Sequence, residues 1–158
     1  MHVTAAGTDG QVLIGATGAD PAFATLTSTD GSVGFTAGTN TLDLKVQNGG
    51  MIVSEVTGTS QAMAINTCYI ANNAGLVTLT LPATAALGSV IKVDGKGAGG
   101  WKIAQNSGQI IHGSSSATTS GATGHLDSGN QWDSVTIRCV TANTTWVVES
   151  AVGTLSYT

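Results

Sequence analysis

The chain has 158 residues, 9% of them charged and 41% hydrophobic, with a net charge of −4 and an isoelectric point near 5.0. That length is enough for one ordinary domain with its own core, so size demands neither disulfides nor metals. The Val, Ile and Leu content argues against a disordered chain, and five Lys and Arg in all leave no basic stripe for a nucleic-acid partner.

At the N-terminus, MHVTAAGTDG lacks the basic stretch and apolar run of a signal peptide. Nowhere does the sequence approach the ~18 consecutive apolar residues of a membrane span. No membrane insertion is expected. The protein should stay soluble in the cell that makes it, or be a trimmed fragment.

The first 50 residues read as short apolar pieces cut by Gly, Thr or Asp: QVLIG at 11–15, VGFTAG at 33–38 and TLDLKV at 41–46. These runs are too short and too small in side chain to build a core within one chain. Packing about a threefold axis would bury them against one another, with glycine permitting close backbone approach. A flexible Gly-rich linker is the plainer alternative. The texture changes at QNGG, 47–50, after which come all three Trp, both Tyr and both Cys. The expected division is residues 1–50 as a stalk end or collar of short β segments and 51–158 as a compact head.

Within the head, MIVSEV (51–56), TCYIA (67–71), LVTLTL (76–81), SVIKV (89–93), WKIA (101–104), QII (109–111), DSVTIRCV (133–140) and TWVVES (145–150) predict strands. Each is rich in Val, Ile, Thr or aromatics and is bounded by turn formers. SQAMAI (60–65) and ATAAL (83–87) are the only plausible helical turns, too short to stand alone. Pro82 reads as a strand terminator. GKGAGG, 95–100, lacks the residue order of a phosphate loop and reads as a β-hairpin turn. The expected fold is all-β: an antiparallel β-sandwich, jelly-roll-like head after a short Gly-rich β stalk, assembled as an intertwined homotrimer.

Cys68 and Cys139 could pair or stay free; free, buried thiols are the favoured reading, since no dense cysteine framework or CxxC spacing is present. Trp101 and Trp146 open strand-like runs, with Ile103 and Val148 on the same alternating faces, so core packing explains them best.

The opening stretch GTDGQVLIGATGADPAFATLTSTDGSVGFTAGTNTLDLKV resembles segments near the distal ends of bacteriophage tail-fibre proteins. The later ensemble LTLP, GKGAGGW, QNSGQIIH, WDSVTIRCV and TWVVES is similar to a C-terminal head module of such fibres. The resemblance implies a virion protein, assembled in the host cytoplasm, whose homotrimeric fibre tip attaches to a host surface glycan or protein receptor. It carries no catalytic motif.

The residues themselves give chemistry little support. Glu55 and Glu149 lie in strand-like segments, where an outward carboxylate is the default, and a glycosidase pair would arise only by coincidence. No GxSxG elbow is present. No enzyme activity, cofactor or metal is expected, although His112 or His125 on a threefold axis would present three imidazoles to a metal.

The longest stretch without a clear strand, 112–132, mixes hydroxyls, amides, two His and a Trp, which suits hydrogen bonding and stacking on sugars. Its candidate receptor contacts are His112, Ser114, Ser115, Ser116, Thr118, Thr119, His125, Asp127, Asn130 and Trp132. The competing reading is a structurally required loop with Trp132 turned into the core. At the level of function, the alternatives are a subunit of an extracellular filament or capsid decoration, and a polysaccharide-degrading tip.

Overall fold

The computed structural model describes residues 7–8, 10–16, 18–29, 33–39, 41–46 and 50–158. It is all-β, and the described residues divide into two compact units, Met1–Ile52 and Val53–Thr158. The expected change of texture at QNGG lies mostly outside the described residues.

The first unit holds two antiparallel hairpins, β1 (Gln11–Ala16) with β2 (Ala19–Thr25) and β3 (Val33–Gly38) with β4 (Thr41–Val46). The ladder between β1 and β2 shifts register between Ile14 and Ala16, opposite Asp20 and Pro21. A proline has no N–H to give the ladder, so a bulge is the expected local solution. Gly10 has φ +85°, and a Cβ there would lie 2.8 Å from the Cβ of Ala37, so both the backbone conformation and the space at this position call for glycine. No described residue of this unit is buried, while Leu13, Ile14, Phe23, Leu44 and Val46 are 37 to 70% exposed.

The second unit is built from β5 (Ile52–Val56), β6 (Ser60–Ala62), β7 (Thr67–Ala71), β8 (Val77–Thr80), β9 (Val90–Gly95) and β10 (Trp101–Ala104). It continues with β11 (Ile110–His112), β12 (His125–Ser128), β13 (Ser134–Thr141), β14 (Thr145–Val152) and β15 (Leu155–Tyr157). One sheet runs β15-β12-β10-β8-β6, the other β11-β14-β13-β9-β7-β5. From β5 to β13 the path switches sheet at every step.

That alternation corrects the expected antiparallel, jelly-roll-like topology. As far as β10, the backbone that crosses to the other sheet and returns re-enters the first in its original direction. Accordingly β8 pairs parallel with both β6 and β10, and β7 with β9; β11 also lies parallel to β14, which reaches it after the β13–β14 hairpin. Parallel neighbours need a long crossover, and here a strand of the opposite sheet supplies it in place of a helix. The sheets become antiparallel at β10–β12, β12–β15, β9–β13 and β13–β14.

Strict alternation makes the core. Strands β8, β9, β10 and β13 bury every second residue, as period-two side-chain geometry requires. Val77, Leu79, Trp101, Ile103 and Leu126 from one sheet meet Ile91, Val93, Ile111, Val135, Ile137 and Trp146 from the other in one cluster. Each of these residues adds about 1.5 to 3 kcal/mol when fully buried.

Both helical expectations are overturned. Residues 60–62 of SQAMAI form β6, paired with β8, and 83–87 form an irregular connection ending in a turn. The residues of GKGAGG do not close a hairpin either, since β9 and β10 belong to different sheets.

Cys68 and Cys139 are free and buried. Burial, with the Asp94 carboxylate beside it, pushes the Cys68 thiol from 9.0 up to about 11. A thiol held protonated is a poor nucleophile and the Cys139 thiol is fully buried out of reach, so the native protein should resist iodoacetamide at pH 8 and react at both cysteines once denatured. Because the folded value is the raised one, the stability linked to Cys68 is fully present below pH 9.0 and lost as pH rises through about 11. Denaturant midpoints across that window, compared with Cys68→Ser, check the sign.

Candidate functional site

Five connections of the second unit gather at one end of its strands: 57–59, 72–76, 96–100, 129–133 and 153–154. They are stacked by backbone hydrogen bonds. Asn72 N donates to Val56 O at 2.9 Å, Lys96 N and Gly97 N to Ala71 O at 2.9 and 2.8 Å, and Gly99 N to Asn73 O at 3.1 Å.

The 129–133 connection is fixed from several sides. Trp132 N donates to Gly95 O at 2.9 Å and Gln131 Nε2 to Lys96 O at 2.8 Å. The buried Asp133 carboxylate accepts from Gly129 N and Asn130 N, both at 2.9 Å, and from Thr154 N at 3.3 Å. Its backbone oxygen takes the Trp101 indole N–H at 2.8 Å, which ties the loop to the core.

Replacing Asp133 by Ala would leave three backbone donors without their acceptor. Hydrogen bonds to charged groups contribute about 1.5 to 3 kcal/mol, so a loss of about 3 kcal/mol is expected in urea unfolding. A change under about 0.5 kcal/mol would mean that the carboxylate does not organise the loop.

In this frame Trp132 stands 67% exposed at φ +71°. That departs from the reading that turned it into the core. A left-handed backbone is unfavourable for a bulky residue and persists only where the surroundings enforce it. Here the enforcing contacts are the bonds of Gly95, Lys96 and Asp133 just described.

The structure divides the ten candidate contacts. Asn130 and Trp132 share the gathered end and are exposed. His125 and Asp127 are not loop residues: they lie in β12, whose four residues separate the two loops by roughly 13 Å. His125 Nε2 lies 3.2 Å from Asp127 Oδ2 and its Nδ1 lies 3.1 Å from Thr123 O, so both ring nitrogens face acceptors within the protein.

His112 is exposed at the end of β11, and Ser114, Ser115, Ser116 and Thr119 are exposed in the 113–124 connection. Thr118 is no contact residue. It is buried, takes Ile111 N at 2.9 Å and bonds to the Gln105 amide. Gln105 and Gln109 complete that buried network with carbonyl groups of the surrounding connections. It explains why the longest loop is held in place rather than free to adapt.

Charge in the second unit cancels locally. Its basic residues each meet an acid: Lys92 with Asp94 at 3.1 Å, Lys96 with Glu55 at 2.6 Å, Lys102 with Asp127 at 3.9 Å, and Arg138 with Glu149. The Lys96 ammonium and the Asn72 amide hold Glu55 below the usual carboxylate range. The remaining acid is Asp133, enclosed by backbone N–H groups. Such exposed pairs add little stability, but they leave no uncompensated cation at the surface of residues 53–158.

Sequence reasoning misses the contribution of Gln131, Lys96 and Asp133 to the Trp132 platform. The signal is there in part: GNQWD, 129–133, is a turn-rich segment with a large aromatic just before a strand. Among the described residues, no group of three or more His, Cys, Asp or Glu could hold a metal ion, and no helix is long and apolar enough to cross a membrane. No protein-family model matches the sequence, and no curated protein sequence matches it.

Proposed function

We propose that this protein is the distal tip of a bacteriophage tail fibre, a homotrimer that attaches the virion to the host cell surface without performing chemistry. The observation that carries this reading is the first unit, which orders two hairpins without burying one described residue. Ordering a backbone costs about 1 to 2 kcal/mol per residue, and an isolated hairpin is marginal in water. Leu13, Ile14, Phe23, Leu44 and Val46 therefore call for apolar partners, and further copies of the same segment supply them in a threefold stalk.

The second unit has the complementary character. We take its two sheets as a sandwich-like head whose own core needs no partner and whose connections are tied down at both ends. Rigid elements displaying fixed loops suit recognition. Shallow loop contacts bind modestly, and several tips engaging together raise avidity.

The test is direct binding of the fluorescently labelled full-length protein to a panel of bacterial cells. Saturable binding to some strains, displaced by unlabelled protein, is expected. Binding to none, or assembly of the protein into open-ended filaments under the electron microscope, would replace attachment by a purely structural role.

A further inference from the structure

We propose that the gathered end of the second unit is a saccharide subsite in which the Trp132 indole stacks on an uncharged sugar ring and the Asn130 and Gln131 side chains border it. This rests on the attachment reading and names the chemistry of its contact. Three observations carry it.

The first is the platform. Trp132 is 67% exposed, yet its backbone is held at φ +71° by a bond to Gly95 O and by the neighbouring bonds of Gln131 and Asp133. A backbone already fixed at this position has no freedom left to lose on binding, an aromatic side chain has few rotatable bonds, and the face of the indole suits the C–H side of a pyranose ring.

The second is the rim. Asn130 and Gln131, the two residues before Trp132, are exposed; the Asn130 amide can both donate to and accept from sugar hydroxyls, and Gln131, whose Nε2 donates to Lys96 O, keeps its amide oxygen to accept. The third is the charge pattern, which selects among ligands. With Lys92, Lys96, Lys102 and Arg138 each paired to an acid, no cation is presented to a phosphate, a uronic acid or a sialic acid. The protein's net charge of −4 disfavours polyanions further. An uncharged polysaccharide meets neither penalty.

The protein carries its own reporter. Trp101 and Trp146 are fully buried, so acrylamide quenching of the native protein reports on Trp132. The full-length protein would be tested on an array of neutral and anionic bacterial polysaccharides, and on cells, as wild type, Trp132→Ala, Trp132→Phe and Trp132→Gly. Neutral polysaccharides should bind and shield Trp132 from acrylamide. Trp132→Ala should weaken both array and cell binding by about tenfold or more, and Trp132→Phe should retain most of it.

Trp132→Gly relieves the left-handed backbone. It should therefore keep or raise the melting temperature while losing binding, an outcome that a merely structural tryptophan would not give. If wild type binds cells and Trp132→Ala binds them equally, attachment stands and this subsite falls. Preference for anionic polysaccharides, or loss of cell binding after protease treatment but not after periodate, overturns the neutral-sugar assignment. If wild type binds no cell and no polysaccharide, the attachment reading fails with it.

Discussion

Replacing Gly97 or Gly99 by alanine is expected to destabilise the second unit by about 3 kcal/mol each, the upper range for forcing atoms into a packed site. A Cβ on Gly97 would lie closer than 3.0 Å to the backbone nitrogen and oxygen of Asn73. One on Gly99 would meet the backbone carbonyl carbon and oxygen of Gly75 just as closely. These neighbours are backbone, held by the Gly99 N to Asn73 O bond at 3.1 Å, so no side-chain rotation relieves the overlap. The successive connections 72–76 and 96–100 stack because β7 and β9 are parallel neighbours, and glycine lets their backbones approach.

Gly58, in the adjoining connection, has open space where its Cβ would be, so Gly58→Ala provides the control and should change stability little. Domain stabilities are about 5 to 15 kcal/mol, and the double variant at 97 and 99 should leave little folded protein at 37 °C. Chemical denaturation read by tryptophan fluorescence measures all four proteins. Equal midpoints for Gly97→Ala and Gly58→Ala would show that the two connections do not stack as described.

The second large effect comes from cutting the protein between its units. Residues 50–158 alone should fold cooperatively, because the whole hydrophobic cluster from Val56 to Trp146 lies within them. Residues 1–49 alone should show no cooperative unfolding, since none of their described side chains is buried. On the trimeric reading the shorter head should also be monomeric, because the segment that calls for partner copies is gone. Circular dichroism melts with sedimentation velocity on both pieces check this. A folded, monomeric 1–49 would remove the physical reason for assembly.

The residues that can be read from the sequence are those whose burial repeats with period two. Val90 to Gly95 and Ser134 to Cys139 alternate without a break, and the sequence alone marks both as strands. β12 carries Leu126 as its one apolar side chain and β15 carries Leu155 and Tyr157. Segments that short hold too little pattern to separate from loop, and β12 accordingly disappears into the 112–132 stretch. β6 reads as a helical turn because Ser-Gln-Ala has no strand signature of its own and is strand only through its pairing with β8.

Strand order is hidden for a different reason. Alternation fixes which side chains face inward but not which strand lies alongside, so the crossing between sheets and the parallel pairs that follow from it are out of reach. The candidate site is half legible. Asn130 and Trp132 stand out in the sequence and share the gathered end, but Thr118 belongs to a buried polar network. His125 and Asp127 bond to one another along a strand. Trp132 faces solvent because Gly95, Lys96 and Asp133, distant or unremarkable in sequence, fix the loop beneath it.

On the trimeric reading, the first unit is completed by other copies of the same protein. Light scattering coupled to size exclusion on the 158-residue protein tests this directly. A mass near three times 15.7 kDa is expected, falling to that of a single head when residues 1–49 are removed. A 158-residue protein of single-copy mass, with its two hairpins still formed, would mean that the first unit needs no other copy.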